Sequence, residues 1–136
     1  MSRRAVDVAL RYLPALLGAA AIFAVSSMPR PPIPEVLVFW DSDKLLHAAA
    51  YCVLAVAVLY GARARAGGLT MGARAEAALA AALYGVTDEW HQSFVPGRSM
   101  SSYDLIADAL GACLGAMVGG LVVGVLVPRA RRGQPS

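Results

Sequence analysis

Between Asp88 and Asp108 the chain reads DEWHQSFVPGRSMSSYDLIAD, placing Asp88, Glu89, His91, Arg98, Asp104 and Asp108 in one short stretch. A second polar group, Asp41, Asp43, Lys44 and His47, opens an earlier apolar run. Carboxylates beside imidazoles are the groups of general acid–base work. A guanidinium or ammonium supplies the counter-charge for a phosphate or carboxylate. Glu89 is the first candidate for acid or base, because it stands near the end of an apolar stretch beside Trp90, where partial desolvation alters proton affinity. His47, Asp88, Asp104 and Asp108 complete the candidate catalytic set. Arg98 is the first candidate for holding an anion, through its planar fork. Lys44, His91 and Gln92 complete the candidate ligand-binding set.

Helical spacing sharpens these sets. Asp43, His47 and Tyr51 are four apart and share a stripe; Tyr84 and Asp88 share another, with His91 close to it. Asp104 and Asp108 share a third, continued by Gly111 or Ala112, Gly115 and Gly119. Glycines at this spacing let membrane helices approach closely, so the aspartate stripe is expected to face a bundle interior. Plainer uses compete. Ser101-Ser102-Tyr103-Asp104 resembles a capping box with Asp in place of Glu or Gln. Asp43 and Asp104 fall in first turns, where the helix dipole favours anions. Pro96-Gly97 is a turn signal, Trp40, Trp90 and Tyr103 suit an interfacial aromatic belt, and Arg98 can simply pair with an acid. Capping has no need of Glu89, His47 or Asp108. A metal held by His47, His91 and carboxylates from Asp88, Glu89 or Asp108 is conceivable. No local signature such as H-E-x-x-H supports it, so neither a metal nor any cofactor is expected. Ser93, Ser99, Ser101 and Ser102 lie nearby, but none sits in a nucleophile elbow.

The elements that position these groups follow from composition. Of 136 residues, 58% are hydrophobic and 15% charged, well below the roughly 25% charged residues of a soluble domain. Four apolar segments stand out, from about Val8 to Val25, Leu45 to Ala62, Gly72 to Val86 and Leu105 to Val127. The third is weakest, with Arg74 and Glu76 in its first turns. No ten-residue stretch alternates with period two, so helices rather than a barrel satisfy the backbone in lipid. The expectation is an all-α, four-helix transmembrane bundle, with helices over about 8–27, 44–62, 72–91 and 103–127. They form one membrane domain over 1–128, followed by a basic cytoplasmic tail over 129–136. The proline-rich connector from Met28 to Pro34 favours a stiff polyproline strap. Arg3-Arg4, an apolar run and Ala24-Val25-Ser26 resemble a signal peptide, but Arg11 and Pro14 interrupt that pattern.

Arginines set the direction. Arg3, Arg4 and Arg11, then Arg63, Arg65 and Arg74, then Arg129, Arg131 and Arg132 all fall on one side of an even-numbered bundle. The positive-inside rule makes that side cytoplasmic. Glu35, Asp41, Asp43, Asp88, Glu89, Asp104 and Asp108 gather on the other, with Asp7 and Glu76 the exceptions. The net charge of +3 is therefore an orientation signal, and no nucleic-acid partner is expected. Cys52 and Cys113 have no metal-ligand or redox spacing.

At these residues the chain resembles the VanZ-like family of bacterial membrane proteins. The carriers are Ser26-Ser27-Met28-Pro29, Asp43-Lys44-Leu45-Leu46-His47 with Tyr51, Tyr84-Gly85 with Asp88-Glu89-Trp90-His91-Gln92, Phe94-Val95-Pro96-Gly97-Arg98, and Asp104 with Asp108 and Gly111. Asp108 stands where the family commonly has Asn. The resemblance implies a multi-pass protein of the bacterial inner membrane. It also implies a role in the cell envelope, since the family's namesake is associated with low-level resistance to the glycopeptide teicoplanin. Two functions fit. One is an outer-face site binding or acting on an amphipathic lipid-linked or anionic envelope molecule. The other is a non-catalytic bundle that offers a surface to a partner protein.

Overall fold

The computed structural model describes residues 3–29 and 42–126. The expected strap over 30–34, Trp40, Glu35, Asp41 and the tail with Arg129, Arg131 and Arg132 lie outside the described residues. Those described form helices and turns, with no strand among them. The helices are α1 (Arg3–Leu10), α2 (Leu13–Ser26), α3 (Ser42–Ala66), α4 (Met71–Gln92) and α5 (Ser102–Leu126). The first expected helix is thus broken at Arg11–Tyr12. Pro14 explains the break: it has no N–H to donate, and its ring clashes with the carbonyl four residues back, that of Leu10. Pro14 instead opens α2 in its first turn.

Among the described residues, three segments are long and apolar enough to cross a membrane: Ala5–Ser26, Ser42–Ala66 and Ser102–Gly124. The weak segment nevertheless folds as α4. Thr70 accepts a hydrogen bond from the Ala73 amide at 3.0 Å and so caps its start. Its 22 residues extend about 33 Å, enough for a hydrocarbon core of about 30 Å. Its buried face is Ala73, Ala77, Ala81 and Gly85, four apart, followed by Asp88, Glu89 and Gln92. The segment looked weak because its core face is built from alanine and its polar residues lie near its ends. At Gly67 the positive φ of 73° and the Gly68 N–H to Arg63 carbonyl bond of 3.0 Å end α3.

Much of the core is made of small side chains, packed around the larger Tyr51, Leu54 and Leu59. Ala55, Ala62, Ala77, Ala81 and Ala112 are fully buried, whereas Leu16, Leu17, Leu79, Leu83, Leu110 and Leu121 point outward. In water such an arrangement leaves a large apolar surface exposed; in lipid it suits close helix packing. The most extensive contact is α3 on α5. A methyl added at Gly111 would collide with the Ala48 carbonyl, and one at Gly115 with the Cys52 carbonyl. The expected glycine stripe is therefore the seam along which α5 touches the backbone of α3.

With α1 and α2 taken as one broken span, the helices run alternately up and down, and the bundle has two chemically different ends. At one end Arg11 donates to the Tyr60 hydroxyl at 3.3 Å. There Arg74 donates to the Ala116 carbonyl at 2.6 Å, and Arg65 pairs with Glu76. Glu76 also accepts from Tyr12 at 2.6 Å, so this acid on the arginine side is neutralised locally. The other end gathers the N-termini of α3 and α5 with the C-termini of α2 and α4.

Candidate functional site at the acidic end

Five side chains and one backbone amide make up the centre of the acidic end. Lys44 and His47 come from α3, Glu89 from α4, Asp104 and Asp108 from α5, and the amide from Ser101 just ahead of α5. The glycine seam positions them. Gly111 lies one turn from Asp108 and seats against Ala48, the neighbour of His47. That close approach brings His47 Nδ1 to 2.9 Å from Asp108 Oδ1. Asp108 is also packed against α4. A methyl on Gly85 would come within 3.0 Å of the Asp108 carboxyl oxygen Oδ2 and 3.3 Å of the Tyr51 ring. Asp108, only 1% exposed, is thus wedged between two helices by two glycines.

Glu89 is fully buried at 0% exposure. Its Oε2 accepts the Ser101 amide at 2.8 Å, and Ser101 Oγ accepts the Asp104 amide at 3.3 Å. The expected capping box is present in a tertiary form, in which the reciprocal carboxylate comes from Glu89 on the preceding helix rather than from the Ser-x-x-Asp segment. That frees the Asp104 side chain, and its Oδ1 pairs with Lys44 Nζ at 2.6 Å. Lys44 also pairs with exposed Asp43. The second Glu89 oxygen, Oε1, has no hydrogen-bond partner among the described residues.

A second polar group lies on the flank of α4 that faces α2. Ser26 donates to Asp88 Oδ2 at 2.8 Å. Gln92 donates to the same oxygen at 3.0 Å and lies 3.4 Å from the Ser26 hydroxyl. His91 Nε2 is 3.0 Å from the Ser27 hydroxyl, and its ring stacks on Phe23 with centroids 4.6 Å apart. The structure therefore brings His47, Glu89, Asp104, Asp108 and Lys44 together and sets Asp88, His91 and Gln92 against α2. As a ligand-binding residue Gln92 is poorly placed: it is 2% exposed and its amide is engaged by Asp88. His91 does not join His47. Helical geometry gives the reason, since residues two apart on a helix are rotated by about 200°, so His91 points away from the side taken by Glu89.

Arg98 lies half-buried on the turn between α4 and α5, where its amide bonds to the Val95 carbonyl at 3.1 Å beside Gly97 with φ of 80°. It makes no ion pair among the described residues. Close to it in sequence, Phe94, Met100, Trp90 and Tyr103 are exposed, as an aromatic belt requires of the last two. Sequence reasoning passed over Ser26, Ser27 and Ser101 as site residues. Their signal was position: each is a hydroxyl at a helix end, on the side where the acids gather.

The profile of one protein family matches residues 9–123, taking in the polar residues of both groups and the glycine seam. The chain belongs to the VanZ/LLP1 family. With its apolar helices, that membership makes it a VanZ-like membrane protein. No curated protein and no solved structure matches the chain.

Proposed function

We propose that this VanZ-like protein spans the bacterial cytoplasmic membrane four times, with both termini in the cytoplasm. Its acidic end, facing outward, binds the headgroup of an amphipathic, anionic, lipid-linked envelope molecule. The observation that carries the reading is Arg98. A half-buried guanidinium with no acid partner among the described residues is a ready fork for a phosphate or carboxylate. Phe94, Met100 and Trp90, exposed and near Arg98 in the chain, suit the apolar chain that such a headgroup carries. Orientation is supported by Arg11, Arg63, Arg65 and Arg74 at the opposite end. Glu89, with one oxygen unpartnered among the described residues, and His47, oriented by Asp108, are the groups able to move a proton at a bound headgroup.

The test is titration of the purified protein in nanodiscs with a polyprenyl phosphate. Arg98→Gln weakens binding at least about tenfold, the loss of one charge-assisted contact of about 1.5–3 kcal/mol. Equal affinity of parent and variant overturns the reading. A non-catalytic reading is favoured by one observation: Asp88, Gln92 and Ser26 bond to one another, as a lock between α2 and α4 does. That reading predicts no ligand at Arg98. A glycopeptide-resistance role is proposed from family membership alone, and is tested by the teicoplanin susceptibility of a deletion strain.

A further inference from the structure

We propose that His47, Glu89 and Asp104 form a binding site for one divalent transition-metal cation of the Zn²⁺ or Mn²⁺ type. The sequence reading expected no metal, because the three donors come from three helices and leave no local motif. Folded, they converge: one ligand atom from each lies within 4.8 Å of the others. Donors about 2.1 Å from an ion in a tetrahedral site stand about 3.4 Å apart. Closing the site thus requires side-chain adjustment of roughly an ångström.

Two independent observations point to a cation. The first is Glu89, fully buried, whose Oε2 is anchored on the Ser101 amide while Oε1 lacks a partner among the described residues. A buried carboxylate oxygen left without a partner is costly, and a metal ion satisfies it. The second is the bond between His47 Nδ1 and Asp108. A ligating histidine commonly donates one ring N–H to a carboxylate, which fixes the tautomer and presents the other nitrogen to the ion. Asp108 occupies that orienting position and leaves Nε2 for the metal. Lys44 competes for Asp104 at 2.6 Å, so a bound cation must displace it from that carboxylate; Asp43 remains as its partner when it moves. Charge favours the same outcome: Asp88, Glu89, Asp104 and Asp108 are all buried at this end. One imidazole with two carboxylates suits Zn²⁺ or Mn²⁺ better than the all-oxygen preference of Mg²⁺ or Ca²⁺. Three protein ligands leave coordination positions open. The inference stands on this geometry and does not depend on the anion reading of Arg98.

The experiment strips the full-length protein in detergent with a chelator and titrates it with Mn²⁺ alone, counting free ion by electron paramagnetic resonance. Pulsed spectroscopy then looks for nitrogen coupled to the bound ion. One ion binds per chain, with a nitrogen coupling that disappears in His47→Gln. Zn²⁺ displaces it, as the order of metal affinities requires. Glu89→Gln and Asp104→Asn remove binding, Asp108→Asn weakens it about 10–100-fold, and Asp7→Asn at the far end binds like the parent. Circular dichroism confirms that each variant retains its helices. Absence of Mn²⁺ binding overturns the site. So does bound Mn²⁺ without nitrogen coupling in the parent, a reading that depends on no variant. Undiminished binding in folded Glu89→Gln overturns it as well.

Discussion

At the scale of single residues, Glu89 ties the site to the fold. One of its oxygens receives the amide that starts α5, and the other has no hydrogen-bond partner among the described residues. The two roles separate by substitution. Glu89→Gln keeps an acceptor for the Ser101 amide, whereas Glu89→Ala leaves that amide without its acceptor at a cost of about 1–3 kcal/mol. Thermal unfolding in detergent will therefore place Glu89→Ala clearly below Glu89→Gln; equal midpoints would show that the Ser101 contact contributes nothing. The sequence places His47 and Asp108 each on a helical stripe, and glycines at four-residue spacing after Asp108 turn the aspartate stripe inward; the direct bond between the two is not foreseeable from either stripe alone. The division between the Glu89 side and the His91 side was less visible. The sequence sets Asp88 beside Glu89 as a catalytic candidate and His91 with Gln92 as ligand-binding ones. Helical rotation instead turns Asp88, His91 and Gln92 together toward α2 and leaves Glu89 facing α5.

At the scale of elements, the seam between α3 and α5 governs the geometry of the site. Gly111 and Gly115 touch carbonyls of α3 directly, and that distance sets the reach from His47 to Asp108. Bulk at Gly115 must force the backbones apart. Gly115→Leu is expected to cost about 1–3 kcal/mol, while Val118→Leu, at an exposed position of the same helix, has little effect. The check is the melting temperature of each variant in one detergent, with comparable losses counting against the seam. The helices themselves were largely readable. The ends of α4 and α5 fall within a residue or so of expectation where they are described, while α3 extends further at both ends. The break between α1 and α2 was not foreseen, although Pro14 and Arg11 were both noticed. In the sequence both residues argue against a signal peptide, but the clash of the Pro14 ring with the Leu10 carbonyl depends on the helix being continuous there. The tertiary capping of α5 by Glu89 lay beyond local patterns, since Glu89 and Ser101 belong to different elements.

At the scale of the whole molecule, the bundle concentrates Arg11, Arg63, Arg65 and Arg74 near one end and buries Glu89, Asp104 and Asp108 at the other, where Lys44 and Arg98 are the basic residues among those described. An envelope ligand can reach the Arg98 site from outside the cell only if the acidic end faces outward. Single cysteines test this in a background carrying Cys52→Ala and Cys113→Ala, which removes both native thiols. Ser99→Cys places a thiol beside Arg98 at an exposed position, and Ser2→Cys and Ser136→Cys report on the two termini. Intact cells are treated with a membrane-impermeant thiol reagent. The account predicts labelling at Ser99→Cys alone, with both termini labelled only after lysis; protection at Ser99→Cys together with labelling at Ser2→Cys would contradict it.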